Sequence, residues 1–359
     1  MTLDQLLGLM SIGVKKGASD IHLEAGYPPS FRIRGELFSA KLDRLAPAET
    51  LMLAQHILGK DDTFFSGGRY DVDRGFGIQG ISRFRASIFR QRGAVGLVLR
   101  VVPFEVPSLR QLNLPNVLSA VAAARSGLIL VTGATGNGKS TTIASILDHV
   151  NKTERLHIIT VEDPIEYVIS PDKSVVIQRE IGVDTDSYMG AMRAALRQDP
   201  DLIMLGELRD RETADTCLKA SETGHLVISS LHTPDAQRTI GRFVGMFDAE
   251  EHVTVRNRLA DNIKAIVSLR LVPRQDGAGL VPAAEVLLAT RSIQEAIRDT
   301  SKIDSLPSLL EKSRDDIGMQ TFDQHLIELC KNGTISTDAA RNAATHPAEV
   351  ERALMLGGE

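Results

Sequence analysis

Residues 128–140 read LILVTGATGNGKS, and this stretch decides the fold. The apolar run that ends at Thr132 is the size of one buried strand. Gly133, Ala134, Thr135, Gly136, Asn137, Gly138, Lys139 and Ser140 then fit the pattern G-x-x-x-x-G-K-[ST]. The glycines let the backbone curl so that several N–H groups point inward and form an anion nest. The helix expected from Lys139 onward, with Thr141 in its first turn, aims its positive end at the same place. Such a loop cradles nucleotide phosphates: Lys139 would reach the β- and γ-phosphates, and the Ser140 hydroxyl would ligate Mg²⁺.

Outward from the loop, strand and helix patterns alternate. A helix over 139–151, a strand over 157–161, a helix over 186–197, a strand over 201–205, a helix over 211–221 and a strand over 226–230 predict an α/β fold with a doubly wound, mostly parallel sheet. Upstream, apolar residues at helical spacing (Leu3, Leu6, Leu7, Met10, Val14) are followed by short alternating segments at 20–24, 31–34, 84–89 and 95–102, with a helix over 48–58. The expected organisation is a small α+β domain over 1–102, a proline-bearing linker and hinge over 103–115, the ATPase core over 116–290 and a helical region over 291–359.

The net charge of −5 speaks against general affinity for nucleic acid. Cys217 and Cys330 stand far apart and match no metal spacing, which suits inert thiols in a reducing compartment. The first 20 residues do not read as a signal peptide, and no apolar run approaches the roughly 20 residues of a membrane span.

A phosphate loop needs a carboxylate near the metal and a group to orient water. Glu207 follows the apolar run 202–205, and a buried parallel strand delivers its C-terminal end to the ligand crevice. Glu207 is therefore the candidate for the metal shell and for orienting water. Glu162, Asp163 and Glu166 follow another apolar run, with Pro164 holding a turn; either glutamate suits a metal ligand or a general base. His225 and His232 bracket a strand, so they are no metal pair, but one of them stands at a strand end suited to sensing the γ-phosphate. Arginines crowd 83–100, and Phe84 and Phe89 among them fit core positions. Each of these groups also has a plain structural reading as a charged turn, a satisfied histidine or a solvated strand face.

Six motifs in order, GASDIHL (17–23), GATGNGKS (133–140), ITVEDPIEY (159–167), LGELRDRET (205–213), TGHLVISSLHT (223–233) and IGMQTFDQ (317–324), resemble the secretion superfamily ATPases, and more closely the type IV pilus retraction group. The resemblance implies a PAS-like N-terminal domain, a RecA-like ATPase domain and a homohexameric ring that binds ATP and Mg²⁺. By position, Lys139 and Ser140 match Walker A, Glu207 matches Walker B, Glu162, Asp163 and Glu166 match the Asp box, and His225 and His232 match the His box. Arg85, Arg100 and Arg209 match charged residues used around nucleotide. The implied setting is the cytoplasmic face of the inner membrane at the pilus base, with a membrane platform protein as partner, a paralogous retraction ATPase as a further one, and no specific nucleic acid.

The absence of a four-cysteine site favours retraction over assembly. Segments 83–100, 270–277 and 283–290 look more like PilU than PilT, and at 292–299 Gln294 and Glu295 replace the arginine and asparagine of the PilT pattern. An accessory, PilU-type subunit and a DNA-translocating ring are the alternative readings.

Overall fold

The computed structural model describes residues 1–60, 62–78, 80–102 and 105–356. They fall into two compact units, Met1–Glu105 with Asp163–Val168 and Glu180–Asp186, and Val106–Glu162 with Ile169–Arg179 and Ser187–Glu359.

The first unit opens with α1 (Leu3–Lys15), started by a reciprocal capping box between Thr2 and Gln5, with Leu6, Leu9 and Met10 turned inward. Strands β1 (Ala18–Glu24), β2 (Ser30–Ile33), β3 (Glu36–Ser39), β4 (Asp71–Ile78), β5 (Ser82–Gln91) and β6 (Ala94–Val102) form one sheet in the order β3-β2-β1-β6-β5-β4, and α2 (Pro47–Leu58) lies between β3 and β4 in the chain. Every pairing is antiparallel. Side chains alternate along β5: Phe84, Ala86 and Ile88 are buried in the core, while Arg83 and Arg85 point to the other face. Phe89, expected in the core with Phe84, is an odd number of residues away. It therefore sits on the opposite face, packed on Gly96, where an added Cβ would come within 2.8 Å of its ring.

The second unit carries β7 (Gly127–Thr132), β8 (His157–Glu162), β9 (Val175–Glu180), β10 (Leu202–Leu205), β11 (Leu226–Leu231), β12 (Ile263–Pro273) and β13 (Leu280–Leu288), in the sheet order β13-β12-β7-β11-β10-β8-β9. Strands β12, β7, β11, β10 and β8 run parallel, and β13 returns antiparallel on β12. Every residue of β7 is buried, as its unbroken apolar run predicts for a strand covered on both faces. The helices are α3 (Val117–Ala122), α4 (Lys139–Thr153), α5 (Tyr188–Ala195), α6 (Arg211–Glu222), α7 (Ala236–Val244) and α8 (His252–Asn262), followed by α9 (Arg291–Arg298), α10 (Leu306–Lys312), α11 (Arg314–Ile317), α12 (Phe322–Lys331), α13 (Thr337–Ala343) and α14 (Pro347–Leu356).

Caps set the helix starts. Helix α5 begins two residues later than expected because Ser187 accepts from Gly190 N–H, and α6 begins after Asp210, which accepts from Thr213 N–H. Of the expected linker, Pro103 lies outside the described residues. Its later part is a packed irregular segment, with Leu109 and Leu114 buried in the core of the second unit.

On α9, Ile293, Ala296 and Ile297 are buried, so the face predicted at i, i+3, i+4 packs inward. The IGMQTFDQ motif covers the edge of the sheet. Gln320 pairs its backbone with Val286 in both directions, its side chain donates to Ala284 O at 2.9 Å, and Ala284 N–H donates to His325 Nδ1 at 2.9 Å. Burial pushes the Cys217 thiol up to about 12, so it is inert.

Candidate nucleotide site

The parallel strands bring their C-terminal ends to one edge of the second unit's sheet. Thr132 leads into the loop, Leu231 into His232, Leu205 into Gly206 and Glu207, and Glu162 closes β8. At Gly133 (φ 145°) an added Cβ would lie 2.7 Å from Leu269 O, so the close approach of the loop to β12 admits glycine alone. Gly138 caps α4 in the left-handed region (φ 82°). Asn137 Nδ2 donates to Leu269 O at 3.1 Å and ties the loop to β12. Lys139 is 9% exposed, and its ammonium donates to the loop carbonyls of Gly133 and Ala134 at 2.9 and 3.1 Å. The charge is thus already folded into the cradle that would receive a phosphate. Ser140 and Thr141 follow in the first turn of α4.

Glu207 is gripped from two sides. Arg209 donates to Oε1, and Oε2 lies 3.0 Å from His232 Nε2. The other ring nitrogen of His232 lies 3.5 Å from Thr135 Oγ1 of the loop. His232 therefore stands between the phosphate loop and the acidic strand end.

His225 is not part of this group. It stands at the N-terminal end of β11, where Gly127 N–H donates to its carbonyl at 3.0 Å. Its ring lies 3.0 Å from Ala220 O and 3.2 Å from Thr223 Oγ1, at the C-terminal end of α6. The six residues of β11 separate the two histidines, and only the C-terminal one reaches the loop.

Glu162 is 8% exposed and its Oε1 accepts from Thr160 Oγ1 at 2.6 Å and from Gln178 Nε2 at 3.0 Å, bonds that fix it within the second unit. Asp163 and Glu166 are exposed, and their segment belongs to the first unit. Arg85 and Arg100 also lie there, opposite each other on β5 and β6. Arg85 faces Asp73 at 3.7 Å, and Arg100 Nε donates to Asp20 at 3.0 Å. Asp20, in the GASDIHL motif, is a residue the sequence reading missed. Burial would raise its carboxyl, but bonds from Arg100 and Ser19 outweigh that and hold it below the usual range.

Among the described residues no group of three or more His, Cys, Asp and Glu is gathered to hold a metal alone. A hydroxyl and a carboxylate, Ser140 and Glu207, are the donor types Mg²⁺ accepts, since it keeps few protein oxygens beside phosphate oxygens and water.

Residues 7–279 match the family model described as Type II/IV secretion system protein. The chain belongs to this family. Within it, the chain is 38% identical to the type IV pilus ATPase PilU of Pseudomonas aeruginosa, over 100% of this chain and 93% of that one. It is 39% identical to the retraction ATPase PilT of the same organism, over 94% and 98%. Identity alone therefore does not separate the two paralogues. A crystal structure of the pilus retraction motor PilT with bound ADP superposes with a TM-score of 0.87 at 44% identity, covering 97% of this chain and 99% of that one. The DotB ATPase of Legionella pneumophila superposes at 0.80 with 28% identity, over 100% and 97%. This secretion-family chain is thus an α/β protein of the PilT type, and its nucleotide loop sits in a fold that binds ADP in that relative.

Proposed function

We propose that the chain is a Mg²⁺-dependent ATPase that drives type IV pilus retraction. The observation that carries the proposal is the bridge Thr135–His232–Glu207, which joins the phosphate loop to the acid at the end of β10. In this reading, Lys139 leaves the carbonyls of Gly133 and Ala134 for the β- and γ-phosphates of ATP. Ser140 and Glu207 would hold the metal, which would supply charge neutralisation at the phosphates. Glu207 or Glu166 orients the water for in-line attack, and His232 reports the state of the γ-phosphate to Glu207. Arg85, Arg100 and Arg209 are the candidates for offsetting charge in the transition state, from the same or a neighbouring copy.

The relatives' names support retraction, and so does the curated twitching motility protein of Neisseria gonorrhoeae, 37% identical over 88% of this chain. We assign a PAS-like domain to 1–102, a RecA-like core to 116–290 and helices to 291–359. The working form is a homohexameric ring docked on a membrane platform protein at the cytoplasmic face. Among the described residues no helix is long and apolar enough to cross a membrane. An accessory role beside a second retraction ATPase is favoured by one observation: in α9, where Gln294 and Glu295 depart from the PilT pattern, Glu295 is exposed and faces Arg291 of its own helix at 3.6 Å.

Steady-state ATPase activity at several protein concentrations tests the proposal. Activity that rises cooperatively with concentration and is lost in Lys139→Ala and Glu207→Gln is expected. A wild type that turns over no faster than Glu207→Gln overturns the motor reading.

A further inference from the structure

The ladder between β10 and β11 ends at the pair Leu205 and Ser229. The chain then runs on through Gly206, Glu207 and Leu208, and Ser230 holds it on both sides of Glu207. Ser230 Oγ donates to Gly206 O at 2.7 Å, and the Ser230 carbonyl accepts from Leu208 N–H at 3.0 Å. On the other side, Gly206 N–H donates to Val161 O of β8 at 2.8 Å. Ser230 and Leu208 are both buried.

The Gly206 carbonyl belongs to the same planar peptide as the Glu207 N–H. Glycine has no side chain to brace that plane. None fits at this position, since a Cβ on Gly206 would stand 2.9 Å from Tyr188 Oη and 3.3 Å from Val161 O. The Ser230 hydroxyl braces the plane instead. Two residues further along, His232 Nε2 lies 3.0 Å from Glu207 Oε2. The backbone and the carboxylate of Glu207 are thus both held by residues 230–232, and all of them lie in the second unit with the phosphate loop. The neighbouring Ser229 makes the same kind of bond one residue earlier: its Oγ donates to Leu205 O at 2.8 Å, inside β10. A buried hydroxyl must find a partner, and of these two only the Ser230 hydroxyl finds it on the peptide that leads into the acid.

We propose that Ser230 is a positioning residue for ATP hydrolysis, holding the backbone on both sides of Glu207 so that its carboxylate stays against His232. This rests on the reading of the chain as an ATPase in which Glu207 serves the reaction. Without the hydroxyl, the peptide between Gly206 and Glu207 turns more freely. The carboxylate spreads over more orientations, and its effective concentration at the reacting phosphate falls. The phosphate loop and Lys139 keep their own bonds, so nucleotide binding is spared.

The test is steady-state kinetics on the full-length chain, with fluorescent ADP binding and the urea midpoint measured beside it. Ser230→Ala is expected to lower kcat about 10- to 100-fold, with KM for ATP and ADP affinity held within about twofold. Ser229→Ala removes an equally buried hydroxyl bonded to a carbonyl. It is expected to shift the urea midpoint as much as Ser230→Ala does and to leave kcat unchanged. Ser230→Thr keeps the hydroxyl and is expected to recover most of kcat. Unchanged kcat in Ser230→Ala overturns the proposal. So does an equal fall in Ser229→Ala, a Ser230→Thr variant as slow as Ser230→Ala, or a loss of nucleotide affinity in step with kcat. Lys139→Ala or Glu207→Gln turning over like wild type would instead bring down the underlying ATPase reading.

Discussion

Glu285→Gln is expected to stabilise the protein at pH 8 by far more than at pH 5. Glu285 lies on β13 and lines a cavity of about 570 Å³, and its Oε1 accepts from Ala236 N–H at 2.8 Å. Burial pushes its carboxyl from 4.5 up to about 7, with the charge of Asp235 adding, while the Ala236 bond and Arg270 oppose the rise. The folded state thus holds the proton more tightly than the unfolded chain. The stability this contributes is fully present below about pH 4.5 and is lost as pH rises through about 7. At roughly 1.36 kcal/mol per pH unit, the loss comes to about 3 kcal/mol.

His325 works in the opposite sense. Burial, with the charge of Arg314 adding, lowers it from 6.5 to about 4, so its contribution is present above pH 6.5 and lost as pH falls through about 4. In the wild type the two trends offset each other between about pH 4.5 and 6.5. Glutamine matches a protonated Glu285 in shape and hydrogen bonding, so it removes one trend and leaves the other. Urea unfolding followed by circular dichroism from pH 5 to 8 reads the difference. A stability gap of about 1 kcal/mol at pH 5 that widens to about 3 kcal/mol in favour of the Glu285→Gln variant at pH 8 is expected. A gap of equal size at both ends of the range would refute the reasoning.

Gly206→Ala would set a Cβ 2.9 Å from Tyr188 Oη and 3.3 Å from Val161 O. It should destabilise by about 1–3 kcal/mol, read from the urea midpoint, with part of the loss recovered when Tyr188→Phe removes the hydroxyl. Thr321→Ala removes the reciprocal cap of α12, in which Thr321 Oγ1 accepts from Gln324 N–H at 3.3 Å and Gln324 Oε1 from Thr321 N–H at 3.0 Å. The expected cost is about 1 kcal/mol in the same assay.

The phosphate loop was legible because strand, glycines and helix start sit within 13 residues and each points to the same structure. The position of Glu207, though not its role, was legible because an acid after a buried parallel strand lies at the sheet's C-terminal edge. The two histidines look alike in sequence, and only strand direction sorts them: β11 runs parallel to β7, so its first end lies beside Gly127 and its last beside the loop. Strands β12 and β13 escaped notice because burial on both faces erases the alternation that marks a strand. Nothing local announces that Glu180 lies over Gly75 and accepts from Arg83 and from the backbone N–H of Ile165. These contacts join segments up to about a hundred residues apart, a distance at which no periodicity speaks.

The bonds that Gln320 and His325 make to β13 also bear on solubility. The run LVPAAEVLL is apolar, and β13 is the outermost strand of its sheet. Such a strand left bare is a template for any other chain in extended form. The segment around Gln320 fills that template from within. A chain cut before this segment would not be a shorter working protein but a sheet with an open, adhesive margin, prone to precipitation.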